Sequence, residues 1–211
     1  MNTRRALVAG LGAATLGSLV GRRAAAEPTP ARHGETRAAA WPNVSLLTHD
    51  GQAVTFYDDL IRGKVVAINM MYAECEGICP LATSNLVRVQ ALLGPRVGRD
   101  IFLYSLTLQP ELDTPARLQE YAAMHGVQPG WAFLTGARAD LEQLRYRLGF
   151  FDPNPVVDGD KARHTGMVRI GHDGYDRWTS AAALAKPEQI VATINHVARA
   201  RERAGGRPTG G

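Results

Sequence analysis

Cys75 and Cys79 are the only thiols in a chain of 211 residues, and Glu76, Gly77 and Ile78 separate them. Thiolate sulfur is both soft and nucleophilic, so a close pair can hold a soft metal ion, exchange with a disulfide or close a bridge of its own. A bridge across so small a loop would stabilise little compared with the ~3 kcal/mol of a 15-residue loop. A closed zinc site needs four ligands, and no histidine cluster exists to complete one. A redox-active pair or a copper-binding pair remains. Soft thiolates favour Cu(I), which accepts a third ligand, so a histidine brought to the pair would favour copper.

The elements around the pair set its electrostatics. Lys64 to Tyr72 is a nearly continuous apolar run, the pattern of a strand buried on both faces. Leu86, Val89 and Leu93 then fall on one helical face, and Gly94-Pro95 stops that helix. Pro80 is tolerated only in the first helical turn, which puts Cys79 at or next to the N-cap and Cys75 in the loop before it. Unpaired N–H groups and the positive end of the helix dipole favour thiolate there, while Glu76 opposes it by like charge. Met70 and Met71 are also soft donors, but inside the strand they read as core, one on each face.

His164 ends a stretch from Gly149 to Gly166 that holds Pro153, Pro155 and Gly159 and shows no periodicity. Loops that long within a domain are usually functional or disordered. A lone histidine is ordinarily a surface or hydrogen-bonded residue. The residues alone leave His164 in that class, together with His33, His49, His125, His172 and His196.

The remaining pattern predicts an α/β chain. Val44 to Leu47 and Val54 to Tyr57 flank the turn dipeptide Asp50-Gly51 as an opening hairpin, and Ile101 to Leu108 reads as a further strand. Thr114-Pro115 caps a helix with Leu118, Tyr121 and Ala122 on its buried face, and Leu141, Leu144 and Leu148 mark another. Met167 to Ile170 and Tyr175 to Thr179 form a second hairpin around Asp173-Gly174, and Ile190, Ile194 and Val197 line a closing helix. The order implies a thioredoxin-like mixed sheet flanked by helices, with an N-terminal hairpin and a long loop before the terminal hairpin.

Met1 to Ala26 has the layout of a signal peptide: early arginines, an uncharged run from Ala6 to Val20, and small residues at 24–26. Thr3-Arg4-Arg5-Ala6-Leu7-Val8 resembles a twin-arginine signal, so export to the periplasm is expected. The apolar run is short for a bilayer span, which favours cleavage over anchoring and a mature form with no stable membrane span. Residues 27–42 read as a linker, 43–200 as the domain and 201–211 as a flexible tail. Without Arg4, Arg5, Arg22 and Arg23 the formal charge of +4 becomes 20 basic against 20 acidic residues, which excludes nucleic acid as an expected partner.

From about Val44 to Val197 the chain resembles the Sco/SenC family of copper proteins, associated with assembly of the dinuclear copper site of cytochrome oxidase. The similarity is carried by Gly63-Lys64-Val65-Val66, by Tyr72-Ala73-Glu74-Cys75-Glu76-Gly77-Ile78-Cys79-Pro80, and by Leu112-Asp113-Thr114-Pro115 with Leu118 and Tyr121. Trp131-Ala132-Phe133-Leu134-Thr135-Gly136 and His164-Thr165 follow in family order. The resemblance implies a thioredoxin fold, places the ligand role on Cys75, Cys79 and His164, and names copper as the bound ion, as Cu(I) with Cu(II) left open. It implies a monomeric metallochaperone whose partner is a cytochrome c oxidase subunit or another copper chaperone. The alternative is a thiol–disulfide oxidoreductase that reduces the cysteines of a copper-site partner, with Cys75 and Cys79 as the redox pair. Spacing is against it, since general thioredoxin-like reductases use C-x-x-C. A peroxiredoxin-type site would need Thr where Tyr72 stands. Gln109-Pro110 departs from the acidic Asp-Pro common in the family.

Overall fold

Every residue of β3 (Val65–Met71) is buried, as the unbroken apolar run requires. In the computed structural model, which describes residues 40–160 and 166–199, this strand lies inside a seven-stranded sheet of order β2-β1-β5-β4-β3-β6-β7. The other strands are β1 (Ser45–Thr48), β2 (Ala53–Thr55), β4 (Ile101–Thr107), β5 (Trp131–Gly136), β6 (Met167–His172) and β7 (Arg177–Ala182). β3, β4 and β5 run parallel, and β1 and β6 close on them antiparallel. The helices are α1 (Ile78–Leu93), α2 (Pro115–Met124), α3 (Arg138–Leu148), the single turn α4 (Pro155–Asp158) and α5 (Pro187–Ala198).

Alternation along β3 divides the core. Val65, Ala67 and Met71 face the cluster that α1, α2 and α5 complete with Leu86, Leu118 and Ile190. Val66, Ile68 and Met70 face the other cluster, closed by α3 through Leu141, Leu144 and Leu148. The two methionines thus fill opposite faces, and the cysteines belong to the α1 side.

Three expectations about elements are corrected. The strand read as Val54 to Tyr57 stops at Thr55, and Phe56–Ile61 forms a π-helical turn. Polar caps drive this: the Thr55 N–H and hydroxyl donate to Asp59 Oδ2 at 2.6 and 2.7 Å, and Asn43 Oδ1 accepts from the Tyr57 and Asp58 N–H groups. The turn buries Phe56, Leu60 and Ile61 together, which alternation could not. The strand read from Tyr175 begins at Arg177, because Asp173–Tyr175 is a 3-10 turn whose Asp173 carboxylate accepts the Gly63 N–H at 2.8 Å. The loop from Gly149 contains α4, capped by the Asn154 side chain on Val156 N–H at 3.0 Å. Trp131–Gly136 enters the sheet as β5 although no strand is predicted there, with Trp131 and Phe133 buried on the α1 side. Residues 1–39, 161–165 and 200–211, and with them the signal peptide, most of the linker, His164 and the tail, lie outside the described residues.

Candidate metal centre

The cysteines sit where β3 hands over to α1, and both are buried: 5% of Cys75 and 1% of Cys79 is exposed. No disulfide joins them. The chain leaves β3 through a tight turn in which Cys75 N–H donates to Tyr72 O at 3.2 Å. Helix α1 then starts at Ile78 with Gly77 as its N-cap, which offers no side-chain acceptor. Cys79 is therefore the second helical residue and Pro80 the third, close to the expected placement.

With no capping side chain, the first N–H groups of the helix turn to sulfur. Burial disfavours a Cys75 thiolate, but it is outweighed by hydrogen bonds from the Cys79 thiol, the Cys79 N–H, the Tyr72 hydroxyl and the Gly77 N–H. The Cys75 thiol is held below its ordinary value as a result. The same bond raises the Tyr72 hydroxyl to about 12, since it donates to Cys75, with burial and the nearby sulfurs and Asp160 adding to the effect. Helix-dipole stabilisation of thiolate, expected from Pro80 and the loop, acts here through identifiable donors.

Other groups around the pair carried no assigned role in the sequence. Asp113, 0% exposed, receives the Ala73 N–H on both carboxylate oxygens at 3.3 Å and the Thr107 hydroxyl on Oδ2. Burial raises its carboxyl, and the Thr107 and Ala73 bonds only partly offset that. Glu74, in the same turn, pairs with Arg117 of α2 at 2.8 Å. Tyr121 OH lies 3.0 Å from Thr83 Oγ1 on α1, and burial, with the charge of both cysteines, lifts its phenol to about 12. The available signal was Asp113 beside the Thr114-Pro115 cap, but nothing in its spacing pointed to the cysteines. Gln109 Oε1, where the family commonly has an acid, is buried and has no hydrogen-bond partner among the described residues.

Among the described residues no third His, Cys, Asp or Glu joins the cysteines as a ligand cluster. His49 has a structural use: its Nδ1 accepts the Phe133 N–H at 3.2 Å, extending the β1–β5 ladder by a side chain. His164 lies outside the described residues, but the positions on either side of its segment are informative. Before it, Asp160 is near enough for its charge to act on Tyr72. After it, Gly166 lies against the first residue of α1, between the two cysteines: a methyl group built on it would lie 3.5 Å from Ile78 Cδ1. Gly166 O is held by the Ala183 N–H at 2.9 Å.

The sequence profile of the SCO1/SenC family matches residues 34–199. The chain belongs to the SCO1/SenC family. A candidate copper-binding protein of Stutzerimonas stutzeri is 29% identical over 151 residues, covering 70% of this chain and 72% of that protein. The SCO1 protein homolog of Bacillus subtilis is 29% identical over 133 residues, 62% of this chain and 67% of its own. Yeast Sco1, solved with copper bound, superposes with a TM-score of 0.57 at 20% identity, over 74% of this chain and 92% of that one. This SCO1/SenC chain thus has the thioredoxin-like fold expected of it, a mixed sheet with helices on both faces. No helix among its described residues is long and apolar enough to cross a membrane.

Proposed function

We propose that this SCO1/SenC protein is a copper metallochaperone that holds Cu(I) between Cys75, Cys79 and His164 and passes it on for assembly of the copper site of cytochrome c oxidase. The observation that carries the reading is the approach to the cysteine loop from both sides of the His164 segment, at Asp160 and at Gly166. His164 is two residues before Gly166, and two residues span at most about 7 Å between Cα atoms. That reach supports a ligand role for His164 beside a loop whose two sulfurs are unbridged and whose Cys75 is biased toward thiolate. Soft sulfur donors with one imidazole suit Cu(I), and copper is the metal in the names of the relatives, one called copper-binding and one solved with copper bound. Transfer proceeds by ligand exchange with an incoming donor of the acceptor, an oxidase subunit or another copper chaperone, in the periplasm.

Competitive Cu(I) titration of the reduced protein tests the site. One equivalent is expected, bound at least about tenfold more weakly by His164→Ala, the factor for losing roughly 1.4 kcal/mol of ligation. X-ray absorption should count two sulfurs and one nitrogen. Unchanged affinity in His164→Ala would remove the histidine from the site. The thiol–disulfide oxidoreductase reading has one observation in its favour, the Cys79 thiol donating to Cys75. Disulfide turnover that survives removal of copper and loss of His164 would establish it instead.

A further inference from the structure

The segment from Tyr72 to Gly77 is neither strand nor helix, so the position of the Cys75 sulfur must be set by something outside it. The bond from Cys75 N–H to Tyr72 O makes residues 72–75 a four-residue turn with Ala73 and Glu74 at its centre. Both central residues are tied to the segment that opens α2. Ala73 N–H is shared between the two oxygens of Asp113, and the Glu74 carboxylate meets Arg117.

The first tie is built into the protein interior. Thr107 Oγ1, at the end of β4, donates to Asp113 and accepts the Gln109 N–H at 2.8 Å. The Asp113 N–H donates to Gln109 O at 2.9 Å, and the next residue, Thr114, caps α2. The carboxylate therefore stands on a frame running from the sheet into a helix. Among the described residues no cation pairs with it, and Arg117 acts on it only from a distance. A buried carboxylate without a partner cation is costly unless its lone pairs are used. Beyond its own frame, Asp113 uses them on one group, the Ala73 N–H.

We infer that Asp113 is a positioning residue for the cysteine pair: by pinning the Ala73 N–H it fixes the 72–75 turn and so holds the Cys75 sulfur over the first N–H groups of α1. The inference deepens the copper reading and depends on it only for the metal-binding arm of its test. What Asp113 holds is the thiol itself, whichever chemistry that thiol performs.

The test uses the full reduced chain with Asp113→Ala and Asp113→Asn, and Leu144→Ala on the opposite face of the sheet as a control for general destabilisation. Alkylation by iodoacetamide reports opening of the loop, because both sulfurs are buried; hydrogen exchange at the Ala73 amide reports the bond itself. Asp113→Ala is expected to raise both rates about tenfold over Leu144→Ala and to weaken Cu(I) binding by a similar factor, that of one hydrogen bond to a charged group. Asp113→Asn keeps an acceptor for Ala73 and is expected to return all three to within about threefold of the parent. Should Asp113→Ala fail to fold, Asp113→Asn and Thr107→Val are compared instead, and Thr107→Val, which removes the supporting donor, is expected to open the loop more than Leu144→Ala does. Alkylation and exchange no faster than in the Leu144→Ala control would overturn the inference. A parent protein that binds no Cu(I) would sink the copper reading alone, since alkylation and exchange still decide the role of Asp113.

Discussion

Two buried charges pin two loops, and they do so differently. Arg145 of α3, 5% exposed, is saturated: it donates to Glu142, to both oxygens of Asp158 at 2.7 and 2.9 Å, and to Phe150 O at 2.9 Å. Asp158 also accepts the Asp152 N–H and the Tyr146 hydroxyl, so residues 150–158 close onto α3 as a unit. Asp113 holds the cysteine loop with hydrogen bonds only. Breaking a buried ion pair costs about 3–5 kcal/mol, whereas losing hydrogen bonds to one charged group costs about 1.5–3 kcal/mol. The scaffold segment is locked, and the loop that must give up its sulfurs to a metal or a partner is fastened more lightly.

The largest effect expected from this contrast is on the locked side. Arg145→Met keeps most of the apolar volume of the side chain and strands the Asp158 carboxylate, whose side chain is 11% exposed. It should lower unfolding stability by about 3 kcal/mol, seen as a fall in the urea midpoint at unchanged slope. A loss below about 1 kcal/mol would put the cluster in the class of surface pairs and erase the contrast.

The two carboxylates should also respond to pH with opposite sign. The Arg145 guanidinium holds Asp158 well below the usual carboxylate range. Its stabilisation is present above the unfolded value near about 3.9 and is lost as pH falls through the lower folded value, because the unfolded chain binds the proton more readily. Burial raises Asp113, so in the window above about 3.9 the folded chain binds more protons and stability falls as pH rises. Subtracting the stability of Asp158→Asn from that of the parent, point by point between about pH 2 and pH 7, should give a difference that grows with pH. For Asp113→Asn it should shrink with pH. Two differences of the same sign would mean that the carboxylates sit in equivalent environments.

Legibility in the sequence follows the same division. Apolar runs marked β3 and β4, helical periodicity marked four of the helices because each buries a stripe with a fixed period, and Pro80 with the cysteine spacing located the start of α1 to within a residue. Polar capping was harder to read. Phe56 and Tyr57 continue a strand-like run and turn inward because Asn43 and Asp59, polar residues just outside the two strand-like runs, accept the N–H groups at the start of a π-helical turn. Asp113 was legible as a neighbour of a helix cap but not as a support for Ala73, forty residues away, since no local pattern encodes a contact between separate loops. The cysteines could be picked out by chemistry. Their positioning groups required the fold.

The smallest effect is expected where the comparison is finest, at the second tie to the 72–75 turn. Arg117 and Glu74 are paired at 2.8 Å with side chains 45% and 50% exposed, so water screens their attraction and competes for both ends. The Ala73 N–H and its Asp113 acceptor have no such competition. Arg117→Ala should therefore change stability by no more than about 0.5 kcal/mol and cysteine alkylation by less than about twofold, with the difference vanishing near 1 M salt. Asp113→Ala should stay open at any ionic strength. If Arg117→Ala instead opened the loop as far as Asp113→Ala does, the surface pair would be the principal fastening, and burial of the carboxylate would be incidental to where the sulfur sits.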